Sequence, residues 1–163
     1  MARNSARNVA LGGVTAALAV VIMCLGGMIP AATFVCPMLC MILLSMVMKK
    51  CSSRICWAWY GAVAILGTLL GADKEAAAVF VFLGYYPIVK PWLDRRRFRW
   101  LWKGLLFNGA TLLLYWLLMH LFGMDALAAE FRGLGIGMTV VLLILGNVTF
   151  FLLDRVLGTR FQK

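Results

Sequence analysis

Few side chains in this sequence have the types and spacing that catalysis or metal binding requires. There is one histidine, His120, and no serine–histidine–acid set or pair of carboxylates stands in an apolar stretch. The five cysteines contain no Cys-x-x-Cys motif and no neighbouring histidine, and Cys36 and Cys40 alone are too few ligands for a metal. We therefore expect no enzyme, no metal site and no cofactor, and we interpret the cysteines as small apolar residues.

Polar residues inside apolar stretches are the stronger functional signals, because an unpaired amide in hydrocarbon is costly. Asn108 and Asn147 lie in two different apolar stretches, and Asp154 follows Asn147 by two helical turns. Hydrogen bonds between helices account for these amides, and the acidic groups are too few for proton-coupled pumping. The polar turn at residues 73–75 has two interpretations, a solvated loop or part of a ligand site.

The composition indicates that lipid solvates the helices carrying these residues. Of 163 residues 64% are hydrophobic and 13% are charged, against about 25% charged in an ordinary soluble domain. The sixteen Lys and Arg against six Asp and Glu would suggest nucleic acid as the partner of a soluble protein. Here the basic residues stand in short connections between apolar runs, which favours anionic lipid headgroups as partners and argues against nucleic acid.

The charged residues divide the chain into six predicted membrane spans. Between Arg7 and Lys49 lie 41 uncharged residues, about twice the ~20 that one helical crossing needs, so this stretch turns once at Gly26-Gly27 and Pro30. We find no cleavable signal peptide, because the first apolar run is long and lacks a convincing cleavage site. The predicted spans are 9–29, 31–48, 55–72, 76–93, 104–124 and 133–153.

The fourth span rests on an argument about orientation. Only 14 uncharged residues separate Glu75 from Lys90, a length that a re-entrant segment also has. If 76–93 crosses, with Lys90 reaching the interface, fourteen of the sixteen basic residues fall on the side of both termini and only Lys74 and Arg132 fall opposite. The sequence therefore predicts an all-α integral membrane protein, one compact six-helix domain over 1–163 with cytoplasmic termini.

Aromatic and small residues fit this arrangement. We interpret the tryptophans and the tyrosine near the predicted cytoplasmic ends of helices as interfacial anchors: Trp57, Trp59, Tyr60, Trp92, Trp100 and Trp102. Small residues spaced by four, which let helix backbones approach closely, occur at Gly12/Ala16, Gly13/Ala17, Gly67/Gly71 and Gly133/Gly137. Internal packing is the simpler interpretation of each pair.

The whole-chain architecture resembles the substrate-binding S components of energy-coupling factor transporters. The similarity at residue level lies in the first helix from Asn8 to Ala19, in Gly26-Gly27-Met28-Ile29-Pro30, and in the segment from Leu83 to Lys90. The resemblance implies a multi-pass protein of a bacterial plasma membrane that binds a vitamin or related micronutrient. It also implies a coupling subunit that carries two cytoplasmic ATPases, while the S component itself hydrolyses nothing.

The resemblance further implies two sets of site residues. A small-residue surface on the first helix receives the coupling subunit in that family, and its counterparts here are Gly12, Gly13, Ala16 and Ala17. The family's ligand pocket lies in the outer half, and by position its candidate residues here are Thr33, Asp73, Lys74, Glu75, Tyr115, Trp116, His120 and Thr139. The alternative is a membrane scaffold similar to the small six-helix rod-shape morphogenesis subunits of bacteria, which acts through helix–helix contacts.

Overall fold

The computed structural model describes residues 2–26, 32–71, 73–120 and 125–161, and within these ranges every regular element is an α-helix. The chain divides into two compact units, Met1–Arg96 and Arg97–Lys163. The helices are α1 (Ala2–Gly26), α2 (Ala32–Met48), α3 (Ser53–Leu70), α4 (Lys74–Leu83), α5 (Tyr86–Asp94), α6 (Arg99–His120) and α7 (Asp125–Phe161).

Four stretches of the described helices are long and apolar enough to cross a membrane, judged by length and composition. They are Ala6–Gly26, Ser53–Leu70, Lys74–Asp94 and Val140–Gly158, and Thr33–Met48 is a shorter apolar helix. The predicted all-helical, membrane-compatible architecture is confirmed at this level. The six-span bundle and the side on which the termini lie stay predictions.

In the first unit α1, α2 and α3 run in alternating directions. Helix α1 packs on both α2 and α3, and α2 packs on α4. At one end the Cys51 thiol contacts the carbonyl of Asn8 at 3.4 Å, which holds the turn after α2 against α1. At the other end the Cys24 thiol approaches the carbonyl of Leu70 at 3.8 Å. We call the first of these the basic end, because it carries Arg7, Lys49, Lys50 and Arg54.

The stretch predicted as one span over 76–93 is two helices that meet at Gly84-Tyr85. Both of these residues keep right-handed helical dihedrals, so the chain continues in nearly the same direction. Pro87 has no N–H to donate to the carbonyl of Leu83, and this missing bond breaks the helical ladder. Together α4 and α5 form the most buried of the candidate spans, with 56% of it inside the protein.

Lys90 in α5 differs from its sequence-based prediction. We expected its ammonium group to reach the membrane interface, but the residue is only 4% exposed. Its Nζ lies 4.0 Å from the Asp94 carboxylate one turn later and 6.0 Å from the centre of the Tyr86 ring. The Asp94 carboxylate and the face of the Tyr86 ring therefore stabilise the Lys90 ammonium, a role that the sequence-based prediction gave to the membrane interface.

An aromatic cluster forms the core of the first unit between α3 and α4. Phe80 is fully buried, and the rings of Trp59 and Tyr60 lie 6.5 and 5.8 Å from it. The prediction that Trp59 anchors at the interface is therefore wrong: the residue is 3% exposed, and its indole donates to the Thr15 hydroxyl at 3.1 Å. Four other predicted anchors are exposed as expected, namely Trp57, Trp92, Trp100 and Trp102.

The cysteines confirm their interpretation as apolar residues. Cys36, Cys40 and Cys56 are buried in the core of the first unit, and Cys24 and Cys51 pack against it. All five are free thiols. They fill space between α1, α2 and α3 as small apolar side chains do.

The second unit is an antiparallel pair of helices, α6 and α7. Phe107 stacks on Phe150 with ring centres 4.5 Å apart, and Trp100 lies 5.3 Å from Phe151. Helix α7 runs 37 residues, from Asp125 to Phe161, beyond both limits of the predicted 133–153 span. It continues past Asp154 because that carboxylate is buried in an ion pair and does not mark the end of the helix.

Candidate functional site

Two of the predicted ligand residues contact each other at the end of the first unit opposite the basic end. The Thr33 hydroxyl donates to Asp73 Oδ2 at 2.7 Å, and Asp73 Oδ1 accepts the backbone N–H of Ala76 at 3.0 Å. Asp73 is therefore the N-cap of α4, where a carboxylate also meets the positive end of the helix dipole. Because Pro37 has no N–H, the Thr33 carbonyl lacks its usual helical donor, while the Thr33 hydroxyl ties the first turn of α2 to Asp73.

Lys74 and Glu75 complete the polar turn between α3 and α4. The ammonium of Lys74 donates to the carbonyls of Thr68 and Gly71 at 2.9 and 3.2 Å, which satisfies the C-terminal end of α3. Glu75 is half-buried in the first turn of α4. Asp73 and Lys74 thus both cap helices, which agrees with the structural interpretation of this turn.

The predicted aromatic residues of the ligand site lie on α6 in the second unit. Tyr115 is half-buried, whereas Trp116 is 57% exposed. Consecutive residues of a helix are turned by about 100°, so the two rings leave α6 on different sides. The side chains of His120 and Thr139 lie outside the described residues.

One polar residue near Tyr115 has no counterpart in the sequence-based prediction. The hydroxyl of Thr111, one turn before Tyr115, is buried without a hydrogen-bond partner among the described residues. A threonine inside a helix ordinarily bonds the carbonyl four residues earlier, and an unsatisfied buried hydroxyl costs roughly 1–3 kcal/mol. The sequence does not show whether a threonine hydroxyl in an apolar helix is hydrogen-bonded or lacks a partner. Thr111 is therefore identified from the structure alone.

The four small residues of α1 face two different directions. Gly12 is buried, and a Cβ placed on it would lie 3.3 Å from Ile55 of α3, while Ala16 packs against the core. Gly13 and Ala17 are exposed, and nothing lies within 4 Å of a Cβ placed on Gly13. The first pair therefore serves internal packing, and the second pair leaves an open surface on α1.

A polar ladder joins α6 to α7 in the second unit. Lys103 Nζ donates to both oxygens of Asp154 at 3.1 and 2.9 Å, with both residues buried. The side-chain amides of Asn108 and Asn147 donate to each other's oxygens, each at 3.0 Å. The prediction that hydrogen bonds between helices account for these amides is confirmed, and the acidic partner of Lys103 was not foreseen.

A cleft of about 490 Å³ opens at the basic end of the first unit. Its walls are Arg7, Asn8 and Leu11 of α1 and Lys50 of the turn between α2 and α3. The lining therefore combines two basic residues, an asparagine and a leucine. The sequence predicts an orienting role and anionic lipid headgroups as partners for the basic residues in general, but it does not predict a cleft among these four.

Metal binding finds no support in the described part of the chain, where no three His, Cys, Asp or Glu side chains are grouped to hold an ion. No protein-family model matches this sequence, and neither a curated protein nor a solved structure is significantly similar to it.

Proposed function

We propose that this chain is a substrate-binding membrane subunit, an S component of an energy-coupling factor transporter in a bacterial plasma membrane. It captures a vitamin or related micronutrient in its outer half and docks on a transmembrane coupling subunit that carries two cytoplasmic ATPases. The chain itself catalyses no reaction. The observation that carries the proposal is the open small-residue surface of α1.

That surface supports docking because its small residues repeat at helical spacing on the exposed side. Ala10, Gly13 and Ala17 follow one another at intervals of three and four residues, and all are exposed. Such a stripe lets the backbone of a second helix approach closely in lipid, where van der Waals packing drives association. Gly12 and Ala16 hold α1 to its own unit, so the docking residues reduce to Gly13 and Ala17 in this proposal.

The ligand part of the proposal draws on α6. The Thr111 hydroxyl, which lacks a hydrogen-bond partner among the described residues, and the half-buried Tyr115 offer a polar contact and an aromatic face within one helical turn. This combination suits a small cyclic or partly aromatic nutrient. Its other proposed contacts in the second unit are Trp116, His120 and Thr139. For the first unit, the predicted ligand residues stay sequence-based predictions: Thr33, Asp73, Lys74 and Glu75.

The alternative, a non-transport membrane scaffold, also has an observation in its favour. The side chains of Asp73 and Lys74 form hydrogen bonds that cap helices, as residues of a structural turn do. A scaffold would use the same α1 surface to bind a neighbouring membrane protein. The two functions therefore differ in whether a small ligand is bound and taken up.

The experiment that tests the proposal is co-purification with a coupling module, combined with ATP-dependent nutrient uptake in the same cells. Ala17→Leu should abolish both, because a branched side chain fills the surface that a partner helix must approach. Ala62→Leu is the matched control, since Ala62 is also an exposed alanine in a spanning helix, on α3. Retained co-purification of Ala17→Leu would reject the docking role, and partner binding without any uptake would favour the scaffold.

A further inference from the structure

The cleft at the basic end of the first unit has the chemistry of a lipid site. We propose that it binds the phosphate headgroup of an anionic phospholipid, with Arg7 and Lys50 on the phosphate and the acyl chain lying along α1. This site is separate from the proposed nutrient site, and the inference does not depend on the transport function.

The headgroup part of the site is defined by its charges. Arg7 of α1 and Lys50 of the turn after α2 both line the cleft, so one volume of about 490 Å³ is bordered by two basic residues from different elements. The side chain of Asn8 adds amide hydrogen-bonding groups on the same wall. A guanidinium and an ammonium that approach from two sides form charge-assisted hydrogen bonds with phosphate oxygens.

The walls of the cleft are held in place by contacts of the turn that carries Lys50. The Lys50 N–H donates to the carbonyl of Val47 at 3.0 Å, and the Cys51 N–H donates to the same carbonyl at 2.9 Å. The Cys51 thiol also contacts the Asn8 carbonyl, which joins this turn to α1. The backbone that carries Lys50 is therefore fixed against α1, so less of the cleft has to be ordered on binding.

An apolar track that leaves the cleft favours a lipid over a free phosphate ion. Leu11 lines the cleft, and Val14, Leu18 and Val21 follow it at intervals of three and four residues. These three side chains are exposed, Val14 by 70%, so α1 presents a continuous apolar stripe that begins at the phosphate position. An acyl chain attached to the headgroup covers this stripe, whereas a soluble anion leaves it bare.

Native mass spectrometry of the full-length protein in nonionic detergent tests the proposal with two probes, dioleoyl phosphatidylglycerol and dioleoyl phosphatidylcholine. We expect preferential retention of phosphatidylglycerol. The Arg7→Gln/Lys50→Gln double variant should retain it roughly 30-fold less tightly, about fivefold for each basic residue removed. Both residues are exposed, so circular dichroism should show an unchanged helix content for this variant.

The matched control removes the same number of charges from outside the cleft. Lys49→Gln/Arg54→Gln changes two exposed basic residues of the same end that do not line the cleft, and it should alter retention less than twofold. An equal loss in both double variants would overturn the site in favour of diffuse attraction to the basic end. Displacement of the lipid by millimolar inorganic phosphate, or equal retention of phosphatidylcholine, would also overturn it.

A second variant separates the two parts of the ligand. Val14→Asn should weaken retention of the lipid severalfold while helix content stays the same, because it interrupts the apolar stripe and leaves the charges in place. Arg7→Lys should restore most of the affinity that Arg7→Gln removes, since it returns the cation. Unchanged retention in Val14→Asn would reject the acyl-chain track.

Discussion

Lys103 and Asp154 form a buried ion pair between α6 and α7, with the ammonium donating to both carboxylate oxygens at 3.1 and 2.9 Å. The pair stands one turn from the stacked rings of Phe107 and Phe150. Each charge is tolerated away from water because the other compensates it. The pair fixes the register in which the two helices of the second unit meet.

Removing one partner of this pair should destabilise the second unit strongly. We expect Lys103→Met to lower the free energy of unfolding by about 3–5 kcal/mol, because the buried Asp154 carboxylate loses the Lys103 ammonium. The Lys103→Met/Asp154→Leu double variant should recover most of that loss. Thermal unfolding of the detergent-solubilised variants, followed by circular dichroism, measures both effects. A double variant as unstable as the single one would contradict the ion-pair explanation.

A pair of glycines provides a second test of packing. A Cβ added to Gly84 would lie 2.8 Å from the buried ring of Phe80 and closer still to the Phe80 carbonyl. Gly84→Ala should therefore lower the free energy of unfolding by about 1–3 kcal/mol, as overpacking does. Gly13→Ala is the control, because nothing lies within 4 Å of its Cβ position and alanine favours a helix. Its unfolding midpoint, in the same thermal assay, should be unchanged or higher.

The sequence predicts the ends of a helix well where the length of an apolar stretch sets them. It predicts them less well where a charged residue is paired inside the protein. The predicted spans that correspond to α2 and α3 differ from these helices by no more than two residues at either end; they are 31–48 and 55–72. Asp154 and Lys90 misled the prediction, because a charged residue was taken to mark a helix end or the membrane interface. Both are buried against opposite charges, and such partners, distant in sequence for Asp154, leave no local pattern.

Some features of the candidate sites are likewise predictable from the sequence, and others depend on the fold. The pattern of small residues predicts that α1 approaches other helices, but Gly12 and Gly13 belong to the same pattern and only the fold shows that the first faces α3. The cap formed by Asp73 agrees with the ordinary preference of aspartate for helix N-termini. The buried Thr111 hydroxyl, which has no hydrogen-bond partner in the described part of the chain, has no signature in the sequence.

The orientation of the chain is tested by cysteine labelling. Phe98 is 62% exposed and stands in the basic connection before α6, and Lys74 is the exposed first residue of α4. In a background without the five native cysteines, Lys74→Cys should react with an impermeant maleimide added to intact cells. Phe98→Cys should react only after the cells are opened, because the Lys and Arg excess retains this segment in the cytoplasm. Labelling of position 98 from outside would reject the six-span topology.

Nutrient binding is tested on α6. The proposal requires a ligand that contacts Thr111, Tyr115 and Trp116 of this helix. Calorimetric titration of the purified protein with a panel of vitamins and their precursors should identify one that binds. Trp116→Ala should weaken its binding severalfold, since an aromatic contact contributes about 0.5–1.5 kcal/mol beyond burial. The Thr111→Val variant should also bind the nutrient more weakly. Its free energy of unfolding should not fall, because the hydroxyl that it removes has no partner among the described residues.

Two controls separate this binding from the integrity of the fold. Trp102→Ala removes an exposed tryptophan near the opposite end of α6 and should leave the affinity unchanged. Asn147→Ala should lower the unfolding midpoint, because it deprives Asn108 of its amide partner, with little effect on affinity once the protein is folded. If no compound of the panel binds, or if Trp116→Ala and Thr111→Val bind the ligand as tightly as the unmodified chain does, the pocket is not on this part of α6. The α1 surface then remains as the basis for a scaffold that recognises only other membrane proteins.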